Sequence, residues 1–303
     1  NAACLSEYPA VGDFVMVDRA EAHSGHAIIH QLLTRKSVFE RPAVGIDNEI
    51  QVVAANIDIV FICMSLNKDY NLSRLERYLS VAWNSKAVPV IVLTKSDLCD
   101  DLPAVINEIT AIAMGTDIIV TSNLDQVSCD RLLSYLKPEM TASFIGSSGV
   151  GKSTLINKLA RQELLATSAI GLDDKGRHTT SRRELFILPQ GGLVIDTPGM
   201  RELGADSANL SKSFADIDGL VAQCRFTDCT HTNEPGCAII QALEEGVLDD
   251  RRYKNYQKLK LEAKYDGLSP RQIENEKINA MFGSKGELKR ARDYFKKKNN
   301  RGY

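Results

Sequence analysis

The stretch Gly146-Ser-Ser-Gly-Val-Gly-Lys-Ser153 decides the fold. It matches the pattern G-x-x-x-x-G-K-[ST], whose glycines let the backbone curl until successive N–H groups point at phosphate oxygens. A helix opening directly after such a loop turns its positive end toward the same anion. Lys152 can then reach the β- and γ-phosphates, and the Ser153 hydroxyl can ligate Mg²⁺. The pattern carries weight only between a strand and a helix. Here Ser143-Phe-Ile145 precedes it and helical spacing runs from Lys152 to about Arg161, so a chance glycine-rich turn is the weaker reading. Gly146, Ser147, Ser148, Gly149, Val150, Gly151, Lys152, Ser153 and Thr154 are the candidate phosphate-binding residues.

Downstream, Asp196-Thr-Pro-Gly199 ends a strand-like run, Gly192-Leu-Val-Ile195. An Asp at a strand tip is placed to hold Mg²⁺ through water, as in the second motif of P-loop nucleotide hydrolases. The Gly199 N–H can face a γ-phosphate. Between the two motifs lies Gly176-Arg-His-Thr-Thr180. A Thr here closes on Mg²⁺ in the triphosphate state; Thr179 and Thr180 both qualify, with Thr180 preferred. Met200 stands where a Gln orients the attacking water in Ras-like proteins, and Met cannot do so. His178 is the nearest group able to accept a proton or position water near neutral pH. Lys152, Thr180 and His178 are therefore the candidate catalytic residues, although His178 reads equally well as a loop histidine with a structural role.

Upstream, Thr94-Lys-Ser-Asp97 follows the apolar run Val90-Ile-Val-Leu93 and resembles the N-K-x-D motif of GTPases. The Asp carboxylate there accepts the ring N–H and exocyclic amine of guanine, a donor pair adenine lacks. Thr94 replaces the usual Asn but can still hydrogen-bond across to the phosphate loop. A surface turn capped by Asp97 is the bland alternative. Thr121-Ser122-Asn123, after Ile118-Ile-Val120, resembles the loop that backs the base. Thr94, Lys95, Ser96, Asp97, Ser122 and Asn123 complete the candidate GTP site with Asp196 and Gly199; Ser153, Thr180 and Asp196 form the candidate Mg²⁺ set.

The order of these motifs is unusual. Base recognition comes first, the phosphate loop second and D-x-x-G last, which is the order of a circularly permuted GTPase. Permutation preserves the site because sheet neighbours need not be sequence neighbours. It also runs the segment after Gly199 directly into the C-terminal domain, so release of the γ-phosphate could move that domain.

Cys224-x4-Cys229-x-His231-x5-Cys237 supplies three thiols and one imidazole within 14 residues. Tetrahedral Zn²⁺ takes such a Cys₃His set, and four protein ligands leave no open position for catalysis. The site is expected to be structural, folding a segment with little core of its own. Cys4, Cys63, Cys99 and Cys129 read as small apolar residues. Seven cysteines with one tight cluster fit a reducing compartment better than a disulfide framework.

Charge and composition extend the reading. The 303 residues carry a net charge of -2, but from Leu248 onward there are 16 Lys or Arg against 8 Asp or Glu. A basic end on an acidic body fits a polyanionic partner such as RNA, with a solvated helical face as the alternative. No run approaches the ~20 apolar residues of a membrane span. The chain opens on Asn1 without an initiator Met, a basic stretch or an apolar signal core, so an earlier natural start is expected. Residues 1–46 read as short β segments punctuated by Gly and Pro, as in a small barrel. From Ile50, apolar runs alternate with amphipathic stretches, which implies a parallel sheet with helices on both faces. The expected fold is multidomain α/β: a β-barrel-like unit at 1–46, a permuted P-loop GTPase domain at 47–206, and a mostly helical zinc-binding domain with a basic tail at 207–303.

Taken together, these motifs and their order resemble the ribosome small-subunit-dependent GTPase A family (RsgA, also called YjeQ), over nearly the whole chain. The resemblance rests on Thr94-Lys-Ser-Asp97, Gly146 to Ser153, Gly176 to Thr180, Asp196-Thr-Pro-Gly-Met-Arg-Glu202 and the Cys/His set. Thr94 stands where the family more usually has Asn. The resemblance implies an N-terminal OB-fold and a cytoplasmic GTPase of bacteria that acts late in small ribosomal subunit assembly. Its hydrolysis is expected to be stimulated by that subunit, its outer domains to contact rRNA, and its GDP form to leave the mature subunit. Structural Zn²⁺, Mg²⁺ with GTP, and a monomeric protein with no membrane partner complete the expectation. A second reading is a zinc-containing RNA-binding module with a regulatory, largely non-hydrolysing GTP site. A third, an ATP-dependent enzyme, is disfavoured by Asp97.

Overall fold

The computed structural model describes residues 5–18, 27–42, 50–122, 127–165, 184–196, 207–265, 268, 270–282 and 290. Near the N-terminus, β1 (Val15–Val17) pairs antiparallel with β2 (Ile29–Leu32). β3 (Val38–Pro42) pairs antiparallel with β4 (Ile50–Ala55), so one strand ladder spans residues on both sides of position 46. The buried Asn56 fastens this part. Its Oδ1 accepts from the Lys36 N–H at 2.8 Å and its Nδ2 donates to Gly12 O at 2.9 Å.

The body of the protein alternates strands and helices. The strands β5 (Ile59–Ser65), β6 (Val88–Thr94), β7 (Asp117–Val120), β8 (Thr141–Gly146), β9 (Glu184–Ile187) and β10 (Leu193–Asp196) form one sheet. Its order is β7-β6-β5-β8-β10-β9 among the described residues. All neighbours are parallel except β9, which forms an edge hairpin with β10. β5 and β8 are buried at every position, as strands covered on both faces must be. The covers are α1 (Leu72–Asn84) and α2 (Leu102–Ile112) on one face, and α3 (Val127–Tyr135) and α4 (Lys152–Ala160) on the other. Leu75, Leu79 and Ile109 anchor the first layer; Leu132, Leu136, Ile156 and Leu159 anchor the second. Phe61 and Phe144 meet between β5 and β8 with ring centroids 4.9 Å apart.

The connections explain where a ligand can sit. The chain steps outward from β5 to β6 to β7, then returns to the other side of β5 as β8. Ligands in open α/β sheets bind beyond the carboxyl ends of the strands where the winding reverses. Here that crevice lies at the ends of β5 and β8, and the Gly146–Ser153 loop leaves β8 at that edge.

The C-terminal part is helical: α5 (Ser207–Ser213), α6 (Ala215–Val221), α7 (Ala238–Glu244), α8 (Asp250–Tyr265) and α9 (Pro270–Phe282). It holds more core than its patterning implied. Leu210, Phe214, Ile217, Ile239, Leu248, Tyr253, Tyr256 and Leu259 are buried together with Cys237. Three of these helices have only seven residues, which is two turns, too few for the helical period to stand out in sequence. Among the described residues no helix is long and apolar enough to cross a membrane.

Candidate functional site

Three glycines shape the phosphate loop. Gly146, Gly149 and Gly151 have φ of +147°, +74° and +100°, a region L side chains rarely enter. At Gly146 space is also lacking: a Cβ there would lie 2.4 Å from the Cys63 carbonyl oxygen on β5. α4 opens directly from Gly151, whose carbonyl accepts from the Leu155 N–H at 2.9 Å. The Lys152 ammonium reaches back over the loop and donates to Gly146 O at 2.9 Å and Ser147 O at 2.7 Å. The loop thus gathers a cation, a helix start and backbone donors in one place, the set that holds a polyphosphate.

The Thr94–Asp97 segment comes to the same edge because β6 lies beside β5. Thr94 closes the gap between the two motifs. Its hydroxyl donates to Val150 O at 2.6 Å, a bond buried between the two loops. Thr is therefore long enough for this link, which ties residues 56 positions apart. Lys95 adopts the left-handed conformation at φ +57° and starts a single 3-10 turn over Ser96–Leu98. The Ser96 N–H donates to Thr121 O at 3.2 Å, and the Ser122 hydroxyl donates to Asp97 Oδ1 at 2.9 Å. Asp97 is thereby held by the loop after β7, where sequence placed the backing of the base. Asp196 ends β10, the strand beside β8. Asn123, His178, Thr179, Thr180, Gly199 and Met200 lie outside the described residues.

A second cluster sits in the C-terminal part. The ligand atoms of Cys224, Cys229, His231 and Cys237 all lie within 4.8 Å of one another. Cys224 Sγ is 3.6 Å from His231 Nδ1 and 3.9 Å from Cys237 Sγ, and His231 Nδ1 is 3.4 Å from Cys237 Sγ. A tetrahedral ion with Zn–S and Zn–N bonds of usual length needs edges of about 3.8 Å between sulfurs and about 3.6 Å from sulfur to nitrogen. The donor set and its spacing fit a metal ion. Burial, then Lys260, hold the His231 imidazole below its ordinary pKa, which favours the neutral form a metal requires. Burial raises the Cys224 thiol, but the backbone N–H groups of Ala238 and Ile239 together with the thiols of Cys237 and Cys229 outweigh it, and the thiol falls below its usual value. Burial pushes the Cys229 thiol up to about 11.

Two features, one at each site, escape a sequence reading. His231 has φ +58°, a strained position for a non-glycine residue. The strain is held by Glu234, whose carboxylate accepts from the N–H groups of Thr230, Thr232 and Asn233 at 2.9, 2.9 and 3.1 Å and from the Thr230 hydroxyl. Those bonds, the Thr230 hydroxyl foremost, keep the carboxyl far below the usual carboxylate range. The other is Arg74 on α1, which donates to the Ser147 hydroxyl of the phosphate loop. A lone Arg in an amphipathic helix gives no signal of this.

The sheet order and phosphate loop define a P-loop nucleotide-binding domain whose motifs run in permuted order. The family model of the RsgA GTPase matches residues 32–206, and the chain belongs to that family. It is 48% identical over 296 residues to the small ribosomal subunit biogenesis GTPase RsgA 2 of Lactiplantibacillus plantarum, covering 97% of this chain and 83% of that protein. It is 48% identical over 263 residues to RsgA 1 of Listeria innocua, covering 86% and 74% of the two chains. Its structure resembles YjeQ from Thermotoga maritima, with a TM-score of 0.61, 28% identity and 84% of each chain covered. It also resembles YloQ, described as a circularly permuted GTPase, with a TM-score of 0.59, 26% identity and 85% and 81% covered.

Proposed function

We propose that this chain hydrolyses GTP while bound to the small ribosomal subunit late in its assembly, and that hydrolysis drives its release. The observation that carries the reading is the Thr94 bond to Val150, which joins a guanine-reading segment to a phosphate loop in a chain close to proteins named for this task. In this reading Asp97, held by Ser122, reads guanine, with Lys95, Ser96 and Asn123 around the base. Gly146 to Thr154 hold the phosphates. Ser153, Thr180 and, through water, Asp196 hold Mg²⁺. Lys152 and Thr180 stabilise the charge that develops on the γ-phosphate, and His178 takes the water-positioning role that Met200 cannot fill.

The metal bound by Cys224, Cys229, His231 and Cys237 is structural Zn²⁺. The N-terminal strands belong to an OB-fold, and with the zinc domain and basic tail they contact rRNA. The division at 1–46, 47–206 and 207–303 is the functional one, with the β3–β4 pairing tying the first part to the second. The protein works as a cytoplasmic monomer.

The test is phosphate release from GTP with and without purified small ribosomal subunits, with large subunits as the control. Strong stimulation by small subunits alone is expected, falling with added salt because the contacts are to phosphates. Equal rates in all mixtures would leave a GTP-binding zinc protein whose partner lies elsewhere. Asp97→Asn tests base reading separately. It removes one acceptor of a charge-assisted donor pair, so the GTP-over-ATP preference should fall by about 10²-fold or more. Competition between the two nucleotides for a fluorescent guanine nucleotide measures it, and an unchanged preference would refute the role of Asp97.

A further inference from the structure

α1 touches both the phosphate loop and the C-terminal helices. Its first turn is laid out by the preceding loop: the Ser65 hydroxyl and the Asp69 N–H both donate to Asn67 Oδ1, and Asn71 caps the helix by accepting from the Arg74 N–H at 3.0 Å. This sets Arg74, which pairs with Asp69 at 2.8 Å and donates to the Ser147 hydroxyl. Two residues further along the helix, Glu76 is buried with its side chain 1% exposed. Its carboxylate accepts from Arg252 at 2.8 Å, from Arg251 at 3.4 Å and from Asn255, all on α8. Arg252 also forks onto Asp216 of α6 at 2.7 and 2.9 Å and donates to Ser213 O at 2.9 Å. Arg77 pairs with Glu262 of α8. The α8 residues behind these contacts, Tyr253 and Tyr256, pack in the same core as Cys237.

We propose that α1 couples the phosphate loop to the metal-bearing C-terminal domain, with Arg74 acting as a positioning residue for hydrolysis through Ser147 and Glu76 as the anchor on α8. The inference rests on the GTPase reading above. It adds a route that does not pass through the segment after Gly199. A buried carboxylate shared by two Arg and an Asn is sensitive to geometry, because it is stable only while its partners stay in place. Displacement of α8, as when the C-terminal domain engages a partner, would therefore be felt at α1 and at the second residue of the phosphate loop. Plain packing of α1 against α8 would require no charged residue to be buried there.

A double-mutant cycle on the full chain tests this, using Arg74→Ala and Glu76→Gln, singly and together. Single-turnover GTP hydrolysis, affinity for a fluorescent GTP analogue and thermal midpoint are read for each protein. Each single change should slow hydrolysis by roughly 2- to 30-fold, the range of measured coupling effects, with affinity much less affected. Arg74→Lys, which can still reach Ser147, should restore most of the rate. The double variant should be no slower than the worse single, because both act through one connection. Multiplying effects, or a normal rate in Glu76→Gln, would overturn the proposal. If Glu76→Gln does not fold, Arg251→Ala replaces it, since its side chain is 39% exposed at the same junction. Wild-type hydrolysis separates the two failures. Turnover with an additive cycle refutes the coupling alone. A wild-type protein that binds the analogue but never hydrolyses GTP refutes the GTPase reading, and the coupling, which acts on hydrolysis, falls with it.

Discussion

Lys152→Ala should lower GTP hydrolysis by at least about 10²- to 10³-fold, the effect of deleting one preorganised donor aimed at developing charge. The ammonium lies over the loop, bonded to the carbonyls of Gly146 and Ser147, so it needs little rearrangement to meet a phosphate. Its charge is the compact kind that stabilises a γ-phosphate oxygen as the bond to the leaving group breaks. The turn itself is made by the glycines and by Thr94 at Val150, so the variant should fold with a thermal midpoint close to that of wild type. Single-turnover hydrolysis and circular dichroism on the same preparation separate the two effects. Unchanged hydrolysis in a folded protein would remove Lys152 from the mechanism, and with it the reading of the loop as catalytic.

How far the sequence reaches is visible in this site. The phosphate loop is legible because its requirements are local: Gly146, Gly149 and Gly151 each occupy a backbone conformation that other residues resist. The strands of the sheet are legible because burial on both faces writes them as unbroken apolar runs, as at Ile59–Ser65. Thr94 is readable in kind, since any short hydroxyl or amide at that place can cross to the loop. Arg74 and Glu76 are not. Glu76 looks like one solvated charge on an amphipathic helix, and its burial is decided by Arg252, 176 positions away. Glu234 is hidden for a different reason. A carboxylate next to a Pro-Gly turn is ordinary, and only the fold shows it collecting three backbone N–H groups around His231. β1 and β2 give a weak signal because their residues are largely exposed, which erases the alternation a half-buried strand would show.

Chelation of the zinc proposed for the Cys/His cluster should have the other large effect, and the fold sets where that effect stops. The segment from Cys224 to Cys237 is built from turns and carries few buried apolar side chains of its own. Its backbone is fixed by the Arg225 N–H to Gly236 O bond at 3.1 Å and by Glu234, and a metal ion on the four Cys and His side chains would close it. Without an ion, nothing of comparable strength closes the loop, since structural zinc contributes about 10–16 kcal/mol of apparent binding in small domains. The Phe214, Ile239 and Leu259 core lies outside the segment and should persist. Amide hydrogen exchange across 224–237 should therefore rise sharply on chelation, while α8 keeps most of its protection. Elemental analysis should give one zinc per chain. Cys229→Ser should weaken zinc binding by more than about 100-fold, because loss of a ligand exceeds the roughly 10- to 100-fold losses seen when only a supporting group is removed. Glu234→Ala removes such a supporting group, and its loss should fall within that smaller range. Equal effects of the two changes would mean that Glu234 sets the loop and the ion merely decorates it. Full protection of the segment after complete metal removal would show that the four side chains meet for another reason.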